Sequence, residues 1–278
     1  MAMSEEPVSP GPVSTEPVSP GPVSNAGPAP FEQRARSFGS VAELYARFRP
    51  APPAEAVDWI LRGQCDRALD LGAGTGALTQ LLVARAHHVV AVEPDDSMRG
   101  VLGRRRLGAS VVAAVAEALP LRSACVDAAL ASSSWHWMDP DTTPVEVGRV
   151  LRPGGVLGLL WNHADRSNER VKQLLGPGLP DAQSETRRPQ SDRHRAQMPD
   201  DAPFHSQEAR IVEWSMTFTV DEIVGMLASY SRVITLPPEA RAEVLSRAQQ
   251  RAEELVAAEG GSAIELPMRC QCWRTVRD

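Results

Sequence analysis

From Ala68 onward the chain alternates between short apolar runs and longer stretches with helical spacing. The apolar runs are Ala68 to Leu71, Val89 to Val92, Val111 to Val115, Val126 to Ala131 and Val156 to Trp161. Between them Leu78 to Ala86, the polar stretch Ser97 to Arg105 and the segment around Val145 to Leu151 carry the spacing of helices. Short β-branched runs separated by helices of about ten residues predict βαβ units on a parallel sheet. The expected core is a doubly wound α/β sheet, mostly parallel, with helices on both faces.

Upstream, Phe38, Val41, Leu44, Tyr45 and Phe48 fall on one face of a short helix that stops at Arg49-Pro50, and a second short helix, Ala54 to Leu61, follows a proline pair. Residues 31–62 therefore read as an N-terminal helical cap and 63–278 as the main domain. Between Asn162 and Phe204 the pattern is lost in a stretch too polar for core and too long for an ordinary connection, so about 163–208 is expected to be an insertion or lid. Order resumes at Ile211 to Thr219. Thr219 and Glu222 form the signature of a capping box that opens a helix through Ala228. A longer amphipathic helix follows Pro237-Pro238, with Val244, Leu245, Ala248, Ala252, Leu255 and Val256 on one face, and stops at Gly260-Gly261. Ala263 to Val276 reads as a closing antiparallel strand in which Cys270 and Cys272 share a face.

Composition removes several classes of function. The first 30 residues contain a ten-residue repeat, EPVSPGPVST then EPVSPGPVSN, whose proline density removes amide donors and offers no face to bury, so they are expected to be a disordered tail. With 278 residues and a net charge of -6, the chain has a core to build but no basic field for a nucleic-acid backbone. No apolar run approaches the roughly 18 residues that span a bilayer, and no charged-then-apolar leader is visible, so a soluble, cytoplasmic protein is expected. The four cysteines form no C-x-x-C pair. His87 and His88 start a strand, while His163, His194 and His205 are scattered through the polar stretch without ligand spacing, so no metal is expected.

The stretch that carries chemistry is Asp70-Leu71-Gly72-Ala73-Gly74-Thr75-Gly76, at the end of the first core strand and before a helix. Three alternating glycines let the backbone turn sharply and meet a ligand without Cβ interference, at the strand end where open α/β sheets bind nucleotides. Gly72-x-Gly74-x-x-Ala77 also fits the loose dinucleotide fingerprint, with Glu93 at the distance of a ribose-binding acid, so an NAD(P)-dependent oxidoreductase stays open. Charge favours another ligand. A carboxylate at Asp70 opposes a pyrophosphate but suits an α-amino group or a sulfonium. Glu93 ends the second strand before Pro94, placed to accept both hydrogens of a ribose diol. After the third strand, Ala116-Glu117-Ala118-Leu119-Pro120 offers an acid and loop amides to an adenine edge. Acids at three successive strand ends suit a cationic nucleoside without phosphates.

After the fourth strand comes Ser134-Trp135-His136-Trp137. Two indoles offer apolar walls to an acceptor, and an imidazole between them can take a proton from an acceptor hydroxyl near neutral pH. Trp161, at the end of the fifth strand, is a further candidate for substrate contact, with core packing as its alternative.

These motifs, with Leu151-Arg152-Pro153-Gly154-Gly155, occur in an order and spacing that resemble the class I S-adenosylmethionine-dependent methyltransferases, type-11 branch, which includes the trans-aconitate methyltransferase-like enzymes. The resemblance spans Arg67 to Trp161, and Tyr45-x-x-x-Arg49-Pro50 is similar to the N-terminal cap of that family. It implies a Rossmann-like fold and S-adenosyl-L-methionine as methyl donor. Asp70 with Gly72, Ala73, Gly74, Thr75 and Gly76 would hold the methionine part, Glu93 and Pro94 the ribose, Met98 one adenine face, and Ala116, Glu117 and Ala118 the adenine edge. Tyr45 and Arg49 would close over the methionine carboxylate. The implied reaction is methyl transfer to an oxygen or nitrogen of a small-molecule acceptor, with His136 as candidate base. A binding module without turnover stays open, because fold alone does not imply catalysis.

Overall fold

The computed structural model describes residues 42–175, 198–199 and 202–278. The repeat, Phe38, Val41 and His194 lie outside the described residues, as do the side chains of Ser206 and Arg232.

The apolar runs form a seven-stranded sheet in the order β3-β2-β1-β4-β5-β7-β6. Its strands are β1 (Cys65–Leu71), β2 (Ala86–Val92), β3 (Ser110–Val112), β4 (Val126–Ser132), β5 (Leu151–Ala164), β6 (Phe204–Thr219) and β7 (Ala263–Arg277). Strands β1 to β5 pair in parallel, and β7, the strand expected from the C-terminal alternation, runs antiparallel between β5 and β6. From β1 the chain steps outward to β2 and β3, then returns to β4 on the other side of β1. That reversal opens a crevice at the carboxyl ends of β1 and β4, where doubly wound sheets bind ligands.

Along β1, Ala68 and Asp70 face one side and Leu69 and Leu71 the other, so each side has its own core. Leu69, Leu71, Ala129, Leu157, Leu159 and Trp161 pack with Val147 and Val150 of α5 (Thr143–Val150). On the opposite face Ala68, Leu130, Leu160, Cys270 and Cys272 pack with α2 (Ala54–Leu61) and α3 (Ala77–Leu82). The two cysteines share that face as expected. Fully buried Ile60 of α2 lies against Gly158 of β5, where an added Cβ would stand 2.3 Å from Ile60 Cγ2. Burial of one such side chain is worth about 2 kcal/mol.

A third cluster lies beyond the end of β5. It joins α6 (Glu169–Leu175), α7 (Val220–Ala228) and, after the short α8 (Ser231–Ile234), α9 (Pro238–Ala258), through Val171, Leu174, Ile223, Met226, Ala248 and Ala252. This corrects the expected start of the polar stretch: 162–164 are strand, and 169–175 are a helix with three buried residues. A helix with alternating Arg, Glu and Lys on its outer side reads as polar although one narrow stripe is fully apolar. His163 and His205 accordingly lie in β5 and β6. Thr219 and Glu222 make the capping box at the start of α7. At the end of α9, Gly260 adopts φ +69 and Gly261 N–H donates to the Val256 carbonyl, a left-handed C-terminal stop.

Helix α1 (Ala42–Phe48) bridges two regions. Tyr45 and Ala46 pack on a small cluster with Met98 and Val101 of α4 (Asp96–Arg105), while Phe48 packs on the third cluster. Gly225 of α7 admits the Phe48 ring, since a Cβ there would stand 2.4 Å from Phe48 Cγ.

Candidate active site

The glycine loop leaves β1 at the crevice. Gly72 (φ +63), Gly74 (φ +56) and Gly76 (φ +89) all take left-handed backbone, which costs an L-residue free energy. Two of them are also confined. A Cβ on Gly72 would lie 2.7 Å from Ser134 Cβ, and one on Gly76 would lie 2.4 Å from Leu102 Cδ1. Gly74 differs, with open space where its Cβ would point. Ala73 N–H donates to the Val92 carbonyl at 2.9 Å, which locks the loop to the end of β2. Arg105 donates to the Thr75 carbonyl at 2.9 Å from below.

Asp70 is 1% exposed. Its Oδ2 accepts the Thr79 hydroxyl at 2.6 Å, while Oδ1 is buried with no partner. Burial pushes this carboxyl up to about 7, against the Thr79 hydrogen bond and with a further upward push from Glu93. Glu93 is also buried, which raises it, and it is held by two backbone donors that oppose the rise: Asp95 N–H at 2.9 Å on Oε1 and Gly74 N–H at 2.8 Å on Oε2. Arg99 donates to the carbonyls of Glu93 and Pro94 at 2.8 and 2.7 Å, fixing the turn after β2. Asp95 caps α4 by accepting Met98 N–H, and the buried Met98 side chain meets the Tyr45 cluster.

The loop after β3 departs from the expectation. Glu117 Oε1 accepts from Asp139 N–H at 2.8 Å and Thr143 Oγ1 at 3.3 Å, fastening this loop to the start of α5. Ala118 N–H goes to the Val115 carbonyl and Leu119 N–H to Glu146, so those two amides are already engaged. Ala116 is buried in the core.

After β4, Ser134 donates to the Leu71 carbonyl at 2.7 Å and closes the crevice between the two strand ends. Residues 135–137 form one 3₁₀ turn. That turn sends its two indoles in different directions. Trp135 is buried in the core, as is Trp161, so neither stands as a free wall; Trp137 is half-buried. His136 is exposed and its ring lies 4.8 Å from that of Trp137. The expectation of two pocket indoles assumed side-by-side display, which a three-residue turn does not give.

Several groups that hold the site carry no motif. Thr79, Arg99, Arg105 and Ser134 are among them, although the position of Thr79 in the first turn after the loop is a usable signal. Tyr230 is another. The Arg49 guanidinium lies 5.6 Å from the Tyr45 ring centroid and 4.7 Å from that of Tyr230. Among the described residues no group of three or more His, Cys, Asp or Glu is arranged for a metal, and no helix is long and apolar enough to cross a membrane.

The methyltransferase-domain profile matches residues 69–159. An uncharacterized methyltransferase of Mycobacterium tuberculosis is 38% identical over 238 residues, covering 86% of this chain and 94% of that protein. The chain belongs to the S-adenosylmethionine-dependent methyltransferases. A solved structure from Anaeromyxobacter dehalogenans, assigned as a type II methyltransferase, is similar to this methyltransferase at 26% identity and a TM-score of 0.62, covering 83% of this chain and 98% of that one. A malonyl-[acyl-carrier protein] O-methyltransferase of Methylococcus capsulatus is 40% identical over 97 residues, 33% of this chain and 35% of that protein. S-adenosylmethionine is the cofactor of the methyltransferase. The residues present fit it: the partnerless buried oxygen of Asp70 suits an ammonium group, and the open space over Gly74 is a cradle that a Cβ would fill.

Proposed function

We propose that this methyltransferase transfers the methyl group to an oxygen or nitrogen of a small-molecule metabolite. The observation that carries the reading is His136, exposed beside Trp137 in the turn whose Ser134 touches Gly72. A titratable group next to the cofactor loop is where an acceptor proton would be taken. The match to an O-methyltransferase over a third of the chain supports an oxygen acceptor and carries no further, because it covers only that third.

S-adenosylmethionine, when bound, supplies a methyl group on a positively charged sulfur. Asp70 would accept from the α-ammonium group, and the loop Gly72-Ala73-Gly74-Thr75-Gly76 would lie against the methionine chain. Glu93, beside Pro94, keeps lone pairs for the ribose hydroxyls, since each oxygen has taken one backbone donor. Met98 would meet one adenine face, and Ala116, Glu117 and Ala118 its edge, with Glu117 acting mainly by fixing that loop. Trp137 would border the acceptor, while Trp135 and Trp161 would shape the site from the core behind it. His136 would take the proton when the acceptor is a hydroxyl; a carboxylate acceptor needs orientation and exclusion of water alone.

The test is calorimetric titration with S-adenosylhomocysteine, with NADH as control, on the wild type, Asp70→Ala and Glu93→Ala. Micromolar binding of the former, lost in both variants, is expected. Equal affinity in all three chains refutes the assigned cofactor residues. An acceptor panel assayed by S-adenosylhomocysteine release then tests the acceptor class, and His136→Ala should slow transfer to hydroxyl acceptors only.

A further inference from the structure

The turn that carries His136 and Trp137 has little slack. At its start Ser133 takes left-handed backbone (φ +54), a conformation that costs an L-residue free energy, and its N–H donates to the Leu160 carbonyl at 2.7 Å. Ser134 then donates to the Leu71 carbonyl, and its Cβ occupies the space beside Gly72. Trp137 N–H and Met138 N–H close the turn on the carbonyls of Ser134 and Trp135 at 2.9 and 3.1 Å, while the Trp135 side chain is buried in the core. One end of the turn therefore rests on the glycine loop.

The other end rests on the loop after β3, and one side chain makes that connection. Glu117 Oε1 accepts from both Asp139 N–H and Thr143 Oγ1. Asp139 in turn accepts the N–H groups of Asp141 and Thr142 at 3.0 and 2.8 Å and the Thr142 hydroxyl at 2.9 Å, so its place is passed on to the start of α5. The loop that bears Glu117 is fastened to α5 at a second point, where Leu119 N–H donates to Glu146 and Arg149 donates to the Leu119 and Leu121 carbonyls. Of these bonds only those of Glu117 reach the turn. Residues 135–138 thus hang between Ser134 and Asp139, each end tied to a different loop of the cofactor crevice. A shift of either loop moves His136 and Trp137, and misplacement by about 1 Å costs a transfer reaction about a hundredfold.

We propose that Glu117 is a positioning residue for methyl transfer: it ties the turn carrying His136 and Trp137 to the loop after β3, so that a cofactor seated against that loop sets the place of the acceptor groups. The carboxylate serves the turn, while the backbone around it faces the adenine. The inference rests on the reading of His136 and Trp137 as the acceptor side and adds to it the link with the cofactor.

Hydrogen exchange read by mass spectrometry, with and without saturating S-adenosylhomocysteine, tests this on the full chain as wild type, Glu117→Ala, Glu117→Gln and Thr143→Val, with affinities taken from calorimetry. In the wild type the nucleoside slows exchange of 135–139 as well as of the glycine loop. In Glu117→Ala the Asp139 amide has lost its acceptor and exchanges about tenfold faster. There the nucleoside no longer protects 135–139, although it still protects the glycine loop. Glu117→Gln keeps a carbonyl oxygen that accepts both bonds, and behaves as wild type. Thr143→Val keeps the buried volume, removes only the longer bond and loses part of the protection, which keeps the test decisive if Glu117→Ala does not fold. Protection of 135–139 that persists in Glu117→Ala overturns the proposal: with affinity unchanged Glu117 is a structural clamp, and with affinity lowered it is an adenine ligand. Loss of glycine-loop protection as well, no protection of 135–139 in the wild type, or no rescue by Glu117→Gln overturns it too. None of these outcomes touches the His136→Ala assay on hydroxyl acceptors, whose failure would overturn the acceptor reading instead.

Discussion

Asp70 offers the sharpest physical test, because an acid 1% exposed with one partnerless oxygen should make its protonation visible in stability. In the folded chain burial pushes the group up to about 7; in the unfolded chain it returns to about 3.9. Between about pH 4 and pH 7 the folded chain keeps a proton that the unfolded chain has released. Stability contributed by this group therefore falls as pH rises across that window, and is level above it. Three units at about 1.4 kcal/mol each make the full change about 4 kcal/mol. Asp70→Asn keeps the neutral form at every pH. Whatever constant offset its amide introduces, the difference in unfolding free energy between variant and wild type should move by about 3 kcal/mol in favour of the variant from about pH 4.5 to about pH 8. Urea denaturation of both chains at the two pH values measures this directly. A change below about 1 kcal/mol would refute the argument that Asp70 is buried without a compensating charge.

The same group links to binding. An ammonium placed on the free oxygen favours the carboxylate, so S-adenosylhomocysteine should bind more tightly as pH rises towards about 7, releasing up to about one proton per molecule near pH 6. Titrations in two buffers of different ionisation enthalpy count that proton, and Asp70→Asn should release none from this position.

Other substitutions separate folding from binding. Gly74→Ala meets open space, so it should cost only the left-handed backbone, about 1–2 kcal/mol, yet weaken S-adenosylhomocysteine severely, whereas Gly72→Ala adds a clash with Ser134 to the same backbone cost and should destabilise the fold more; thermal melts and calorimetry distinguish them. Glu93→Gln places an amide nitrogen against the N–H of either Gly74 or Asp95, and should cost about tenfold or more in affinity while the chain stays folded by circular dichroism. Gly225→Ala should drive Phe48 out of its recess, seen as faster hydrogen exchange confined to 42–50, with β1 and β4 still protected.

That the glycine loop, Asp70 and Glu93 come together was legible because they are neighbours in sequence. Strand, glycine loop and helix follow one another from Cys65 to Leu82, and the second acid directly follows the next strand. The alternating apolar runs placed every strand of the parallel half to within a few residues, since their side chains must serve two cores at once. Local pattern failed where contacts bridge distant residues. Nothing near Tyr230 in sequence relates it to Arg49, and nothing near Asn162 relates it to Pro50. Trp135 and Trp137 misled for a different reason: a pair of aromatic residues shows apolar area but not direction, and the 3₁₀ turn buries one against the core.

This division has a physical cause with a consequence for specificity. A cofactor of constant shape can be gripped by backbone amides and acids on one contiguous loop, and a loop of that kind tolerates little change, as Gly72 against Ser134 and Gly76 against Leu102 illustrate. An acceptor must be met by elements that differ from one enzyme to another, and on the proposed reading these would be β5, β6, α7 and α1. Their mutual contacts run through side chains, the Phe48 ring in the space that Gly225 leaves and Asn162 with Trp214, which substitution can alter without touching the loop. Acceptor preference should therefore respond to changes at Tyr230, Asn162 and Trp137 while affinity for S-adenosylhomocysteine follows Asp70, Gly74 and Glu93.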